Sequence, residues 1–290
     1  MSKKPLLLAG VVVLVVLYLV FSTPSVGNPE IPTGPEAIAR GEYIYNAGGC
    51  GACHQPKGAE GPIGGEWEVE EIISVAGIPF GGTFRAPNIT PDPETGIGGW
   101  TGRDFLLALK HGRAPGGGFY WPAFPFRSFQ HMTDEDVLDL AAYLMAQPAI
   151  AHEVPDNDLP AYQFDWMMAG WNIMANMMEG TPPAVDTTDP VMARGEYLAR
   201  ALGHCGECHT PRNGLGMLQM ANEFKGSDIV SADISPEGLR AWTDEDFLYF
   251  IQLGMTASGD FVGGEMLEVI DHTANLSEED QAAYATFFTR

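Results

Sequence analysis

Cys50, Cys53 and His54 stand together in GGCGACHQP (48–56), and Cys205, Cys208 and His209 stand together in GHCGECHTP (203–211). These four cysteines are all that the chain has. Three chemistries use such a spacing. Paired Cys-x-x-Cys motifs close tetrahedral zinc sites, but zinc leaves both histidines without a role and asks two distant motifs to share one ion. A thioredoxin-like redox pair wants a βαβ setting, and no such pattern surrounds either copy. In the third chemistry, two cysteines three residues apart form thioethers with one edge of a porphyrin, and the adjoining histidine points at its iron. This reading employs every residue of both motifs. It predicts two covalently bound haem c groups, with His54 and His209 as iron ligands.

The sixth iron position decides between electron transfer and ligand chemistry, and methionine there gives a closed, high-potential iron. In the second half, FVGGEMLEVI puts Met266 on a Gly-rich loop before the last helix, where a loop must swing back over a haem. Met217 and Met220 follow His209 closely, and Met255 stands where the first half has Arg113. In the first half Met132 is the first methionine after His54, and Met145 lies inside the final helix. Met132 does not match Met266 in position. Met266 precedes its helix cap, Ser277, by 277 − 266 = 11 residues, whereas Met132 directly precedes Thr133. The position equivalent to Met266 falls near Pro122 to Phe124, where no side chain ligates iron. Met132 is the expected ligand, with His131, His111 and an open site as the alternatives. Trp100 and Trp242, each just before a helix cap, are placed to donate an indole N–H to a propionate or to pack. Arg85 and Arg212 are placed to pair with propionates.

Around these motifs the chain repeats itself. ARGEYIYNAGGCGACHQP (39–56) returns as ARGEYLARALGHCGECHTP (193–211), PNITP (87–91) as ADISP (232–236), and GWTGRDFLLALKHG (99–112) as AWTDEDFLYFIQLG (241–254). TDEDVLDLAAYL (133–144) returns as SEEDQAAYATFF (277–288). Thr101, Thr133, Thr243 and Ser277 each precede an Asp by three residues, a variant of the capping box that opens an apolar-periodic run. A further helix is expected before each Cys-x-x-Cys-His. Alternating strand patterns are scarce, so both halves read as all-α with long loops. Between them lies a Pro- and Asp-rich connector. It leads into a helix whose Phe164, Met167, Trp171, Met174 and Met178 are expected to form one packing face.

The chain has 290 residues, 45% hydrophobic and 18% charged, which suits two globular domains of roughly 100 residues. With 35 glycines and 22 prolines much of each domain is loop; a porphyrin supplies the large apolar centre that such a domain lacks. The formal net charge of −23 excludes nucleic-acid binding and suits docking on a basic partner. At the start, Lys3 and Lys4 precede an unbroken apolar run from Leu6 to Phe21 without a clear Ala-x-Ala cleavage site after it. That pattern predicts an uncleaved anchor, a cleaved signal peptide being the alternative, with the remainder outside the cytoplasm. The expected division is an anchor over 1–27, a first domain over 28–150, a linker over 151–188 and a second domain over 189–290.

The segments RGEYLARALGHCGECHTPRNGLG (194–216), APNITPDPETGIGGW (86–100) and YWPAFPFRSFQHMTDEDVLDLAAYL (120–144) resemble the membrane-anchored multihaem cytochrome c subunits of periplasmic alcohol, aldehyde and gluconate dehydrogenases. The resemblance runs over nearly the whole chain after residue 35. It implies two tandem class I cytochrome c folds, His54 and His209 as proximal ligands and methionine as distal ligand, with Met132 in the place of the first. It further implies a non-enzymatic carrier anchored in the inner membrane with its haem domains in the periplasm. Such a carrier passes electrons from a dehydrogenase, or a respiratory or photosynthetic complex, towards quinone or a terminal oxidase. Many such subunits carry three haem domains where this chain has two motifs. The enzymatic alternative is a dihaem peroxidase with an open first haem.

Overall fold

The computed structural model describes residues 24–56, 58, 59, 61–75, 78–164, 166–227 and 231–290. Most of the anchor expected over 1–27 lies outside the described residues, among which no helix is long and apolar enough to cross a membrane. Helix α1 (Pro35–Ala47) opens with proline in its first turn, beside Glu36, a residue pair suited to a helix N-terminus. The short α2 (Cys50–His54) follows, then a hairpin of β1 (Gly65–Val75) and β2 (Ile78–Ala86). Helices α3 (Gly102–His111), α4 (Phe126–Phe129) and α5 (Asp134–Met145) complete the first half. The connector holds α6 (Met167–Met178). The second half runs through α7 (Pro190–Tyr197), extended by a π-helical turn over Leu198–Leu202, and α8 (Gly206–His209). It ends with α9 (Asp244–Leu253), α10 (Met266–Thr273) and α11 (Glu278–Thr289).

The mostly helical expectation holds, with the hairpin as a departure. Its strands pair antiparallel from Gly65↔Ala86 to Val75↔Ile78, but the register shifts between Val69 and Ile73. Such a bulge breaks the two-residue period by which a strand is recognised in sequence. All four expected caps form. Thr101 and Thr243 make complete capping boxes with Asp104 and Asp246. Thr133 and Ser277 accept the backbone N–H of Asp136 and Asp280, but the Asp136 carboxylate turns to Tyr197 of the opposite half, and that of Asp280 to Tyr43 of the opposite half and Arg194 of its own.

Each half crosses its first and last helices at a glycine. A Cβ on Gly41 of α1 would fall inside the van der Waals shell of the Asp139 carbonyl of α5, and one on Gly195 of α7 inside that of the Ala283 carbonyl of α11. The halves share one continuous core, from Ile44, Phe105 and Leu140 on one side to Leu198, Phe247 and Phe288 on the other. They also exchange a reciprocal pair of polar contacts. The Tyr43 hydroxyl donates to Asp280 (2.6 Å) and accepts from the Ser277 N–H (3.2 Å). Its counterpart Tyr197 donates to Asp136 and accepts from the Thr133 N–H (3.2 Å). Equivalent residues answer each other across the boundary, as in a two-fold interface.

The connector helix corrects an expectation. Phe164, Met174 and Met178 are 50%, 43% and 53% exposed, so they do not form its packing face. The buried face is Met168, Trp171, Asn172 and Ala175, turned onto a smaller cluster of Phe84, Trp121, Phe126 and Met217. The Trp171 indole donates to the Leu215 carbonyl (3.2 Å) and sets that rotation.

Candidate functional site

Each Cys-x-x-Cys-His is built on a single turn of helix, where positions i, i+3 and i+4 share a face. The two thiols and the imidazole of α2 therefore point to one side, as do those of the second motif. The chain enters both turns through left-handed backbone, at Gly49 (φ 60°) and at His204 (φ 41°). Glycine adopts that conformation freely, whereas a histidine there needs its surroundings to hold it.

Behind each histidine the same bond recurs. His54 Nδ1–H donates to the Pro87 carbonyl (2.8 Å), and His209 Nδ1–H to the Ala232 carbonyl (2.7 Å). With Nδ1 committed as donor, the Nε2 lone pair faces away from the bond, oriented for a metal. The carbonyls are themselves fixed. Asn88, almost wholly buried, donates to the Ile150 carbonyl (2.8 Å) and accepts the Thr90 N–H (2.9 Å). Asp233, at the equivalent place, accepts the Ser235 N–H (2.9 Å) and hydroxyl (2.6 Å). The His54 and His209 carbonyls each receive a backbone N–H, from Gly64 and Gly226, at 2.8 Å.

Burial holds both imidazoles below their ordinary pKa, against the opposite pull of the Pro87 and Ala232 carbonyls, so each imidazole is neutral at pH 7. Burial also pushes the Cys50 and Cys205 thiols up to about 12, and Cys53 and Cys208 upward. A redox-active pair needs the reverse shift. Among the described residues no group of three or more His, Cys, Asp or Glu side chains is arranged to hold a metal ion, so the thiols do not converge as a zinc site would require. All four cysteines are free. Two neutral thiols and a pre-oriented imidazole on one face fit a covalently attached haem.

The two motifs meet. His272 lies against Gly49, and the His204 ring sits at the Gly48 backbone and edge-on to Phe129 (5.7 Å). Ser128 donates to Glu207 (3.0 Å), and the Glu265 carboxylate raises the pKa of both Cys53 and Cys208. Glu265 directly precedes Met266, which starts α10 half-buried. Met132, by contrast, is 2% exposed and belongs to the shared core. Met217 is fully buried in the smaller cluster, and Met255 bridges Phe261 as Arg113 bridges Phe119. Trp100 and Trp242 stand edge-on to Phe105 (5.3 Å) and Phe250 (5.5 Å). Arg212 is paired with Glu207 (2.8 Å), and Arg85 donates to the Asp156 carbonyl (2.5 Å). His111 is half-buried and His131 exposed. Sequence reasoning does not reach Tyr43, Glu265 or the two carbonyl acceptors; the repeat alone hints at them.

Comparison with known proteins agrees with this geometry. The cytochrome c family model matches residues 38–148. A diheme cytochrome c-type protein of Cereibacter sphaeroides is 37% identical over 282 residues, covering 92% of this chain and 90% of that protein. The gluconate 2-dehydrogenase cytochrome c subunit of Pantoea cypripedii is 35% identical over 86% of this chain and 58% of its own length. For the alcohol dehydrogenase (quinone) cytochrome c subunit of Gluconobacter oxydans, identity is 34%, again over 86% of this chain and 54% of that subunit. The chain thus spans little more than half of these dehydrogenase subunits.

Proposed function

Since the chain belongs to the c-type cytochromes, we propose that it binds one haem c at each Cys-x-x-Cys-His motif and relays single electrons between the two. The observation that carries this reading is the matched pair of Nδ1–carbonyl bonds behind His54 and His209. A one-electron couple at iron is what haem supplies when bound. Everything else falls to the chain. Cys50 with Cys53, and Cys205 with Cys208, would hold the porphyrin edges as thioethers. His54 and His209 would present Nε2 to the irons, and Met266 would close the second. The shared core and the contacts of Gly48 and Gly49 with His204 and His272 hold the two motifs side by side, which favours transfer within one molecule.

We further place residues 1–27 in the inner membrane and the body in the periplasm, on the charge and apolar pattern of the first residues. The named cytochrome subunits of gluconate and alcohol dehydrogenases make a dehydrogenase the favoured donor, with an acceptor such as a terminal oxidase downstream. The chain itself is a carrier, not an enzyme. A net charge of −23 implies a basic docking face on its partner. Haemochrome analysis should give two haems per chain, and gentle detergent extraction from native membranes should bring down a dehydrogenase in fixed ratio. Raising salt from about 0.01 to 0.15 M, which shortens the screening length from about 30 to 8 Å, should slow reduction severalfold. A single haem would sink the relay, and a salt-independent rate the electrostatic docking.

A further inference from the structure

The repeat fixes which residue of the first half stands where Met266 stands in the second. Thr101 and Thr243 open equivalent helices with the same capping box, and Gly112 and Gly254 end them in the same left-handed conformation. The chain then folds back identically in both halves. Gly112 accepts the N–H of Tyr120 (2.9 Å) where Gly254 accepts that of Val262 (2.8 Å), and the Arg113–Phe119 bridge matches Met255–Phe261. Every one of these pairs has the same interval (243 − 101 = 254 − 112 = 262 − 120 = 142). Four residues beyond the last matched bond, the same interval joins Phe124 to Met266 (266 − 124 = 142). The halves fall out of step only afterwards, because α10 is longer than α4.

Phe124 carries no ligand atom. Its ring packs edge-on to Tyr120 (5.4 Å) and against Phe129 (5.6 Å), so the first half presents an aromatic wall where the second presents a thioether. Met132 is not free to replace it. Its side chain is 2% exposed within the shared core, its N–H is bonded to the Phe129 carbonyl (2.9 Å), and the next residue is tied by its N–H to Tyr197. In the second half its place directly before the helix cap is held by Leu276 (276 − 132 = 277 − 133 = 144), which is 7% exposed in the same core and bonds its N–H to the carbonyl three residues back in the same way, so Met132 occupies a packing position.

Building on the two-haem reading, we propose that the first haem site, at His54, has no protein ligand on the side of Phe124 and binds a small neutral π-acceptor such as carbon monoxide, while Met266 closes the second. An aromatic wall favours a neutral diatomic over an anion, which would lose its hydration without a charged partner. Without methionine the first iron also has the lower potential, so an electron arriving there runs on to the second. The site thus sets a direction as well as a binding function.

Haemochrome analysis comes first, because fewer than two haems would refute the relay reading itself. With two haems present, the reduced full-length protein in detergent is titrated with carbon monoxide and followed by its absorption spectrum. One carbon monoxide per chain is expected, and the oxidised protein should show the methionine–iron charge-transfer band of a single haem. Met132→Leu, which conserves core volume, should change neither result. Phe124→Met should abolish carbon monoxide binding and double the band. No uptake by the wild-type protein, or uptake that appears only in Met132→Leu, overturns the proposal whether or not Phe124→Met folds.

Discussion

Asp280 is a carboxylate only 6% exposed at the boundary between the halves. Burial alone would raise its pKa, but two bonds from Arg194 (both 2.7 Å) and one from Tyr43 hold it below the ordinary carboxylate range. A group whose folded pKa is depressed adds stability that is present above its unfolded value, about 3.9, and lost as pH falls through the lower folded value. The contact should therefore hold from neutral pH to about 4 and fail below that. Asp280→Asn should cost about 2 kcal/mol at neutral pH, less than a fully buried pair because the Arg194 side chain is 40% exposed. It should also flatten the acid limb of the stability curve, which thermal unfolding across the acid range measures; parent and variant falling in parallel would clear Asp280 of that role. The candidate attachment residues are legible in sequence because Cys50, Cys53 and His54 sit within one helical turn. What fixes them is not. Pro87 lies 33 residues from His54, Ala232 lies 23 from His209, and Asp280 lies 237 from Tyr43, separations that only the fold closes.

Helix crossings give glycine opposite roles in the same chain. Gly41 and Gly195 meet a facing carbonyl at van der Waals contact, whereas nothing lies within reach of a Cβ on Gly170, in the middle of α6. Gly41→Ala and Gly195→Ala should each destabilise by about 3 kcal/mol, since neither facing backbone can yield. Gly170→Ala should stabilise by about 0.5–1 kcal/mol through helix propensity alone. Chemical denaturation of the three variants tests the signs; a neutral Gly41→Ala would mean that α1 and α5 can separate without cost. At this scale the caps at Thr101 and Thr243 are readable from local spacing. The hairpin is not, because its bulge destroys the alternation, and the buried face of α6 depends on where Trp171 finds the Leu215 carbonyl.

The two halves of the molecule are held together by contacts that repeat across their boundary. Tyr43 and Tyr197 each reach into the opposite half, one to Asp280 and the Ser277 N–H, the other to Asp136 and the Thr133 N–H. Phenylalanine at either position keeps the ring and removes both bonds. Each change should cost about 1–2 kcal/mol, with Tyr43→Phe at the upper end because its acceptor Asp280 is buried whereas Asp136 is half-buried. Arg194 links the two sites, since it bonds to Asp280 (both 2.7 Å) and lies over the Tyr197 ring (5.6 Å), so the costs in the double variant should depart from a simple sum. The consequence for function follows from what the boundary carries: His204 against Gly48, His272 against Gly49, and Glu265 within reach of both Cys53 and Cys208. Loosening it lets the two attachment turns drift apart. With one haem photoreduced, internal electron transfer in Tyr43→Phe/Tyr197→Phe should be slower than in the parent, while haem content and each midpoint potential stay as they were. An unchanged internal rate alongside clear destabilisation would assign the spacing of the motifs to the core around Leu198 and Tyr45, and leave the tyrosines a purely stabilising part.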